Sequence, residues 1–179
     1  MYIDYKIKGK NVVLRSVEES DSEFILWIRN NPRICKYLPP LNITVEQQQQ
    51  WISKQRADKE SYYFLLETPE GEPIGTLSIY DIEGDHGECG RSCCIGEPSA
   101  SVEASVLFTD FIFKSLELSY TTNWVYEDNK AVIALNKSFG YEWVERGYDK
   151  NGEPFRKGLL KRDCALERNE RIKRKLRLI

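Results

Sequence analysis

The sequence predicts a mixed α/β (α+β) fold in a single domain, because strand-like and helix-like segments alternate along nearly all of its 179 residues. β-branched and aromatic runs bounded by turn residues favour strands, and apolar residues at three- and four-residue spacing favour helices. The chain has no internal repeat and no linker rich in Gly, Ser or Pro. The predicted order is β-α-α-β-β-β-α-β-α-β-β-α, and one domain is expected to span residues 1–179.

The first elements have clear start and stop signals. The run NVVLRSV at 11–17 predicts a strand, and 18–31 predicts a helix with Ser20 or Asp21 near its cap. A second helix is predicted to follow Thr44, because Thr44 and Gln47 have the spacing of a capping box. The residues of the first helix that have core spacing are Phe24, Trp27 and Ile28.

The middle of the chain predicts a hairpin, a third strand and a strongly apolar helix. The strands are expected at 61–67, 74–82 and 88–95, and the helix at 102–118. Its few charged side chains share one narrow stripe of a helical wheel, so we expect a helix buried over most of its circumference. The stripe consists of Glu103, Asp110, Lys114 and Glu117.

The last third predicts a strand at 119–127, a helix capped by Asp128 and stopped by Gly140, and a hairpin that turns at Asn151-Gly152. Residues 163–179 are predicted to form a charged, mostly basic C-terminal helix. Two interpretations of this helix stay open. It is either a solvated helix that packs one thin edge on the body or on a second subunit, or a docking surface for an acidic partner.

The charge balance argues against nucleic acid as a general partner. The 26 basic and 28 acidic residues give a formal net charge of −2 at pH 7, so the chain lacks a strong positive field. No apolar stretch approaches the roughly 20 residues that span a bilayer, and the first residues do not resemble a secretion signal. We therefore expect a cytoplasmic protein that binds neither nucleic acid nor a membrane.

The cysteines argue against a disulfide framework and against a metal centre. Their number, five, is odd, which favours reduced thiols inside a cell. Strand alternation would place Cys89 and Cys93 on one face and His86 and Cys94 on the other, so these four side chains cannot converge on one ion. No metal is expected.

The segment that begins at Asn129 carries the most specific motif. The motif reads Asn129, Val132, Ile133, Ala134, Leu135, Asn136, Gly140 and Tyr141. In residue type and spacing it resembles a helix of the GCN5-related N-acetyltransferase (GNAT) superfamily, and the resemblance extends from about Val13 to Leu160. The phrase WIRNNPRICKYL, with Trp51 in the helix after it, is similar to the branch of ribosomal-protein N-terminal acetyltransferases and bacterial amino-sugar acetyltransferases.

The resemblance implies a GNAT fold and acetyl-CoA as the cofactor. The central sheet would be mixed and mostly antiparallel, with about six to seven strands flanked by helices. Two central strands would splay apart and accommodate the acyl-pantetheine arm of coenzyme A. Asn129 and Asn136 border an apolar stripe of their helix, and their amides suit the amide-rich arm. The alternative is that both asparagines only cap and solvate the helix end.

The expected phosphate-binding turn departs from the family pattern. A basic, glycine-rich run normally precedes the central helix, so that backbone N–H groups and the helix dipole hold the diphosphate. Small residues still let a phosphate approach the backbone here, although cofactor affinity could be weak, or the turn could hold a different ligand. The alternative is a plain helix start with Ser101 as its N-cap. The residues assigned to this turn are Gly96, Ser99, Ala100, Ser101 and Val102.

The resemblance also implies direct transfer of an acetyl group to an amine in a ternary complex. We expect Glu88 to act as the general base, the alternative being an exposed glutamate at a strand end. Backbone groups of Cys93, Cys94 and Ile95 would bind the arm and donate an N–H to the oxyanion. The family's frequent Tyr general acid is replaced by Asn136. An acyl-enzyme on Cys93 or Cys94 is the less favoured alternative, because no histidine has a predictable place beside either thiol.

The acceptor side is the least specific part of the prediction. Arg29, Asn30 and Tyr37 are expected to line it, whereas core packing better explains Trp27 and Trp51. A small amine, such as a nucleotide-linked amino sugar, is slightly favoured over a protein N-terminus. A non-catalytic module that binds coenzyme A and an interaction protein that acts through its basic tail are the other classes considered. A monomer and a homodimer are both compatible with the sequence.

Overall fold

The computed structural model describes residues 1–178 and contains one mostly antiparallel, eight-stranded sheet flanked by five α-helices. Across the sheet the strand order is β1-β2-β3-β4-β5-β6-β8-β7. The strands are β1 (Ile7–Lys8), β2 (Val13–Ser16), β3 (Tyr62–Glu67), β4 (Pro73–Glu83), β5 (His86–Cys94), β6 (Tyr120–Tyr126), β7 (Glu142–Tyr148) and β8 (Pro154–Lys161). The helices are α1 (Ser22–Arg29), α2 (Val45–Ala57), α3 (Pro98–Asp110), α4 (Lys130–Phe139) and α5 (Arg162–Leu176). The predicted fold class is confirmed, and β1 is the strand that the prediction lacked.

The chain divides into two compact units. The N-terminal unit comprises Met1–Asp81 and Gly90–Ala104, and the C-terminal unit comprises Ile82–Cys89 and the chain from Ser105 onward. Strands β4 and β5 and helix α3 therefore contribute residues to both units. The predicted single domain stays a prediction.

The N-terminal unit has its core on one face of β3, whose six residues are all buried. β3 pairs antiparallel with β2 on one side and with β4 on the other. Because alternate residues of a strand share a face, Tyr63 and Leu65 point the same way. The cluster that they form with α1 and α2 consists of Val17, Ile25, Ile52, Tyr63 and Leu65.

Helices α1 and α2 begin close to their predicted positions, but one residue predicted to lie in the core does not. Helix α2 has the predicted capping box: the Thr44 hydroxyl accepts from the Gln47 N–H at 3.3 Å, and the Gln47 side chain accepts from the Thr44 N–H at 2.9 Å. Helix α1 follows a short 3-10 turn, Glu19–Asp21. The prediction that Trp27 packs in the core is wrong, because Trp27 is 53% exposed.

The C-terminal unit is built on the β6–β8–β7 ladder. β8 pairs antiparallel with both neighbours, and β6 pairs in parallel with the start of β5 through only three residue pairs, His86 to Glu88 with Tyr120 to Thr122. Gly140 ends α4 in the left-handed conformation, with φ of 93°, as predicted. The predicted cap is wrong by one residue: the N-cap of α4 is Asn129, not Asp128.

The central helix differs most from its prediction. It begins at Pro98 rather than at residue 102, and beyond Asp110 it continues as a π-helical segment, Phe111–Ser115. The helical wheel groups Glu103 with the charged residues of one polar stripe. In the structure, however, Glu103 is only 1% exposed. The prediction failed because a wheel orders side chains around an axis without showing which polar side chain will find buried partners.

Helix α5 is held to the C-terminal unit mainly by polar side chains. Asn169 is fully buried and donates to the Val106 carbonyl at 3.0 Å and to Asp110 at 2.9 Å. Lys173 is 8% exposed and pairs with Asp110 at 2.6 Å. The predicted helix 163–179 is thus observed as Arg162–Leu176, and its last predicted residue, Ile179, lies outside the described residues. The predicted packing edge exists, but its centre is polar.

No helix among residues 1–178 has both the length and the apolar character that crossing a membrane requires. The same residues contain no group of three or more His, Cys, Asp or Glu side chains that could hold a metal ion.

Candidate active site

The start of α3 is an exposed helix N-terminus in the N-terminal unit. Proline suits the first position of a helix, because its fixed φ is already helical and its missing N–H has no intrahelical role. The Ser101 N–H already donates to the Glu97 carbonyl at 3.1 Å, so Ser101 lies inside the first turn. The alternative that Ser101 is the N-cap is therefore wrong. The first free N–H of the helix belongs to Ser99. Ser99 is exposed, and its side chain adds a hydroxyl next to this N–H.

The residues predicted to bind phosphate differ in their exposure. Ala100 is 4% exposed and packs into the unit, so its side chain does not face a ligand. Gly96, Ser101 and Val102 are half-buried. An anion near the turn would therefore approach Ser99 first. This is a smaller set of donors than the glycine-rich run of the family would supply.

Glu97 is a feature of this turn that the sequence analysis missed. It directly precedes Pro98, and its exposed carboxylate lies at the positive end of the α3 dipole. This charge stabilises the helix start but repels a second anion at the same place. The Glu97-Pro98 pair was the available signal, since proline is common at the first helical position.

The end of β5 has one backbone edge engaged by β4. The Ile95 N–H donates to the Ile74 carbonyl at 2.8 Å. The Cys93 carbonyl lies against Gly75, where an added Cβ would be only 2.3 Å from that oxygen. Because neighbouring residues of a strand direct their N–H and C=O groups to opposite edges, Cys94 directs its own away from β4. Ile95 is thus a poor candidate for the oxyanion donor, and Cys94 is the better one.

The thiols of Cys93 and Cys94 are not poised as nucleophiles. Cys93 is buried in a cluster with Ile28 and Cys35. Its hydrogen bond with Cys35, together with burial, raises the pKa of Cys93, and burial also raises the pKa of Cys94. Both groups are therefore protonated thiols near neutral pH, and a thiol is a far weaker nucleophile than a thiolate.

Arg29 and Asn30, two predicted acceptor residues, hold the segment that follows α1. The Arg29 guanidinium donates to the Pro39 carbonyl at 2.8 Å. The Asn30 side chain donates to the Leu41 carbonyl at 3.0 Å and accepts from the Leu41 N–H at 2.6 Å. The Asn30 amide is therefore occupied, and Arg29 is 7% exposed with no hydrogen-bond partner at Nε among the described residues. Their observed contacts position the segment from 31 to 43.

Tyr37, the third predicted acceptor residue, lies on that same segment. It is half-buried, and the Lys36 ammonium group lies 3.2 Å from its hydroxyl. Its placement follows from how Arg29 and Asn30 hold the segment. Direct contact of these three residues with an acceptor stays a prediction.

The C-terminal unit contains Glu88, the predicted general base. Glu88 lies opposite Thr122 in the β5–β6 ladder and is half-buried. β5 begins at His86, so Glu88 lies inside the strand, and the alternative of an exposed strand-end glutamate is wrong. The next residue, Cys89, is half-buried, and burial raises its pKa to about 12.

The two asparagines of the α4 motif have different partners. The Asn129 side-chain oxygen accepts from the Val132 N–H at 3.3 Å, so Asn129 caps the helix. Its amide nitrogen has no partner among the described residues. Asn136 is 5% exposed and donates to the side-chain oxygen of Asn123 at 3.3 Å. The capping alternative is thus confirmed for Asn129, which keeps a free donor, whereas Asn136 is largely engaged inside the unit.

Comparison with known proteins identifies the family. A sequence model of the acetyltransferase (GNAT) domain matches residues 11–142, about three quarters of the chain. The chain belongs to the GNAT acetyltransferase family. It is therefore an acyltransferase, and this family uses acetyl-CoA. No curated protein sequence matches the chain.

Solved structures of GNAT proteins share the fold. An apo structure named FdhC, described as a nucleotide-linked sugar GNAT, is 22% identical over 97% of this chain and 99% of its own, with a TM-score of 0.82. A spermidine N-acetyltransferase from Vibrio cholerae, in complex with CoA and spermine, is 18% identical over 87% of this chain and 98% of its own, with a TM-score of 0.76. At these identities the likeness establishes the fold and leaves the acceptor open.

Alanine substitution of the two adjacent thiols tests the acyl-enzyme alternative. We expect Cys93→Ala and Cys94→Ala to keep kcat within about threefold of wild type, because a nucleophilic role would require an activated thiolate. The measurement is steady-state acetyl transfer to an accepted amine, with Cys164→Ala as the control. Melting temperatures identify any variant that is merely unstable. A loss of kcat beyond about a hundredfold in a folded variant, with loss of acetylated protein by mass spectrometry, would revive the covalent route.

Proposed function

We propose that this protein is an acetyl-CoA-dependent N-acetyltransferase that acetylates a primary amine by direct attack in a ternary complex. The observation that carries the proposal is the start of α3, where an exposed helix N-terminus follows directly on a strand end with one open backbone edge. A diphosphate needs the first feature, and an amide-bearing arm needs the second. Both units together would form the acetyltransferase domain of residues 1–179.

The N-terminal unit supplies the groups that would hold the cofactor. The N–H and hydroxyl of Ser99 are exposed donors for a phosphate oxygen. The N–H and C=O groups of Cys94 are directed away from β4 and suit the amides of the pantetheine arm. Gly96 keeps the turn narrow, since a Cβ there would lie 2.8 Å from the Ile74 side chain. These residues fit coenzyme A, although Glu97 weakens the fit.

The chemistry assigned to the chain is proton transfer and polarisation of a carbonyl group. When bound, acetyl-CoA supplies an activated thioester. Glu88 takes a proton from the acceptor ammonium group, directly or through one water molecule. The Cys94 N–H donates to the oxygen atom that gains negative charge during transfer. Asn136 occupies the position of the family's frequent tyrosine acid, so the departing thiolate takes its proton from solvent.

A nucleotide-linked amino sugar is the acceptor that we propose. The similarity in fold to a nucleotide-linked sugar GNAT supports this class, and it extends over nearly the whole of both chains. The spermidine N-acetyltransferases are similar over less of this chain, with lower TM-scores. A protein N-terminus is the alternative acceptor, and turnover across a panel of amines distinguishes it from an amino sugar.

Removal of the Glu97 charge is expected to tighten cofactor binding. In Glu97→Gln we expect the Kd for acetyl-CoA to fall roughly threefold, because one negative charge no longer opposes the diphosphate at the helix N-terminus. Isothermal titration calorimetry measures this change, and Glu60→Gln, an exposed charge in the same unit, serves as the matched control. An unchanged or weaker affinity in Glu97→Gln, with an unchanged melting temperature, would place the diphosphate elsewhere.

Turnover across a panel of amines tests the proposed reaction. The panel contains nucleotide-linked amino sugars, spermidine and a peptide with a free N-terminus, each supplied with acetyl-CoA. We expect release of free coenzyme A with the amino sugars, and in Glu88→Gln we expect kcat to fall by about a hundredfold or more, because the base is lost. Glu142→Gln is the control. Tight acetyl-CoA binding without turnover of any amine would instead indicate a non-catalytic binding module.

A further inference from the structure

A depression lies in the N-terminal unit, apart from the start of α3. It has a volume of about 300 Å³. Its walls come from the second half of α2, the turn that follows, the end of β4 and the middle of β5. This volume lies at the lower end of the range for small-molecule sites in proteins. The lining residues are Trp51, Lys54, Gln55, Asp58, Ser61, Tyr80, Asp81 and Arg91.

The Arg91 guanidinium lies against two aromatic rings in this depression. Its guanidinium carbon lies 4.2 Å from the ring centroid of Tyr80 and 5.3 Å from that of Trp51. Tyr80 is itself fixed against Gly90, where an added Cβ would lie 2.7 Å from the Tyr80 hydroxyl. A guanidinium is planar, and contact with aromatic rings restricts its orientation, so that two of its N–H donors can bind two oxygen atoms of one anion.

The donors of Arg91 have no partner within the described chain. Arg91 makes no hydrogen bond and no ion pair with any of residues 1–178. Lys54 follows Trp51 by three residues on α2, is exposed, and likewise makes no ion pair among the described residues. Positions three apart on a helix share a face, so the ammonium group and the indole are neighbours. Two cations and two aromatic rings therefore line one depression.

Two carboxylates, Asp58 and Asp81, also line the depression. Asp58 accepts from the Glu60 N–H and from the Ser61 hydroxyl, each at 2.8 Å, and these bonds, together with the nearby charges of the N-terminus and Arg91, lower its pKa. Its oxygen atoms are hydrogen-bonded within its own turn, and among the described residues they make no hydrogen bond or ion pair with Arg91. Asp81 is exposed at the rim and leaves a carboxylate for the hydroxyl groups of a sugar.

The backbone of this depression is unusual at two positions. Asp81 has φ of 50° and Arg91 has φ of 51°, and neither residue is glycine. Left-handed backbone is uncommon at residues other than glycine.

From these contacts we infer that the depression of Trp51, Lys54, Tyr80 and Arg91 binds the nucleoside diphosphate part of a nucleotide-linked acceptor. This inference rests on the proposed function and adds the place where the acceptor is recognised. The diphosphate oxygens bind Arg91 and Lys54, and the planar base packs on the exposed part of Trp51, which is 36% exposed.

Calorimetric titration with uridine diphosphate and thymidine diphosphate tests the inference without the complete acceptor. We expect at least one of them to bind the wild-type protein. In Arg91→Gln the Kd should rise about tenfold or more, because a bidentate, charge-assisted contact is lost. In Lys54→Gln it should rise roughly threefold, since that ammonium group is exposed. Lys59→Gln, an exposed lysine near the end of α2 that does not line the depression, is the matched control and should bind as wild type does.

The outcomes that overturn the inference are distinct from those that overturn the proposed function. The inference fails if neither diphosphate binds, if both Arg91→Gln and Lys54→Gln bind as wild type does, or if saturating coenzyme A displaces the diphosphate. Should Arg91→Gln unfold, Lys54→Gln on the exposed face of α2 still decides. Acetyl-CoA is titrated into the same samples, and its failure to bind would overturn the proposed function instead.

Discussion

The first turns of α3 are held by one buried carboxylate, Glu103. It accepts from the backbone N–H of Lys10 at 2.5 Å and of Asn11 at 2.9 Å, and from the Asn11 side chain at 2.7 Å. A buried carboxylate is tolerated only when donors replace its lost water, and three donors do so here. Gly9 is required beside it, since a Cβ there would lie 2.4 Å from the carboxylate. The turn between β1 and β2 therefore fixes the helix whose start presents Ser99.

Strand β5 directs the backbone groups of successive residues to its two edges. Its backbone edge toward β4 is occupied near Ile95, where the N–H meets the Ile74 carbonyl, and at Arg91, whose carbonyl accepts from the Thr76 hydroxyl at 3.0 Å. Cys94 has its backbone groups on the other edge. The regular alternation is interrupted just before these positions, where left-handed Arg91 follows Gly90, whose carbonyl also meets β4 by accepting from the Ser78 hydroxyl at 3.1 Å. One strand thus carries a candidate base, an aromatic-bound cation and a candidate oxyanion donor in sequence.

Much of the fold was predictable because its signals are local. The Thr44–Gln47 capping box and the left-handed Gly140 each depend on a few neighbouring residues, and both are confirmed. The parts that were wrong depend on distant partners. Glu103 is buried because it accepts from backbone N–H groups more than 90 residues away in the sequence. Trp27 is exposed, whereas its neighbour Ile28 is buried, although both have the spacing expected of core residues. Arg91 was not predicted as a functional residue, because only the fold brings it close to Tyr80 and Trp51.

A crystal structure of the protein with coenzyme A would show whether the start of α3 holds the cofactor. We expect a diphosphate oxygen on the N–H or hydroxyl of Ser99 and a pantetheine amide on the backbone of Cys94. A complex in which the diphosphate lies away from the start of α3, or in which coenzyme A occupies the depression of Trp51 and Arg91, would rule out this binding mode.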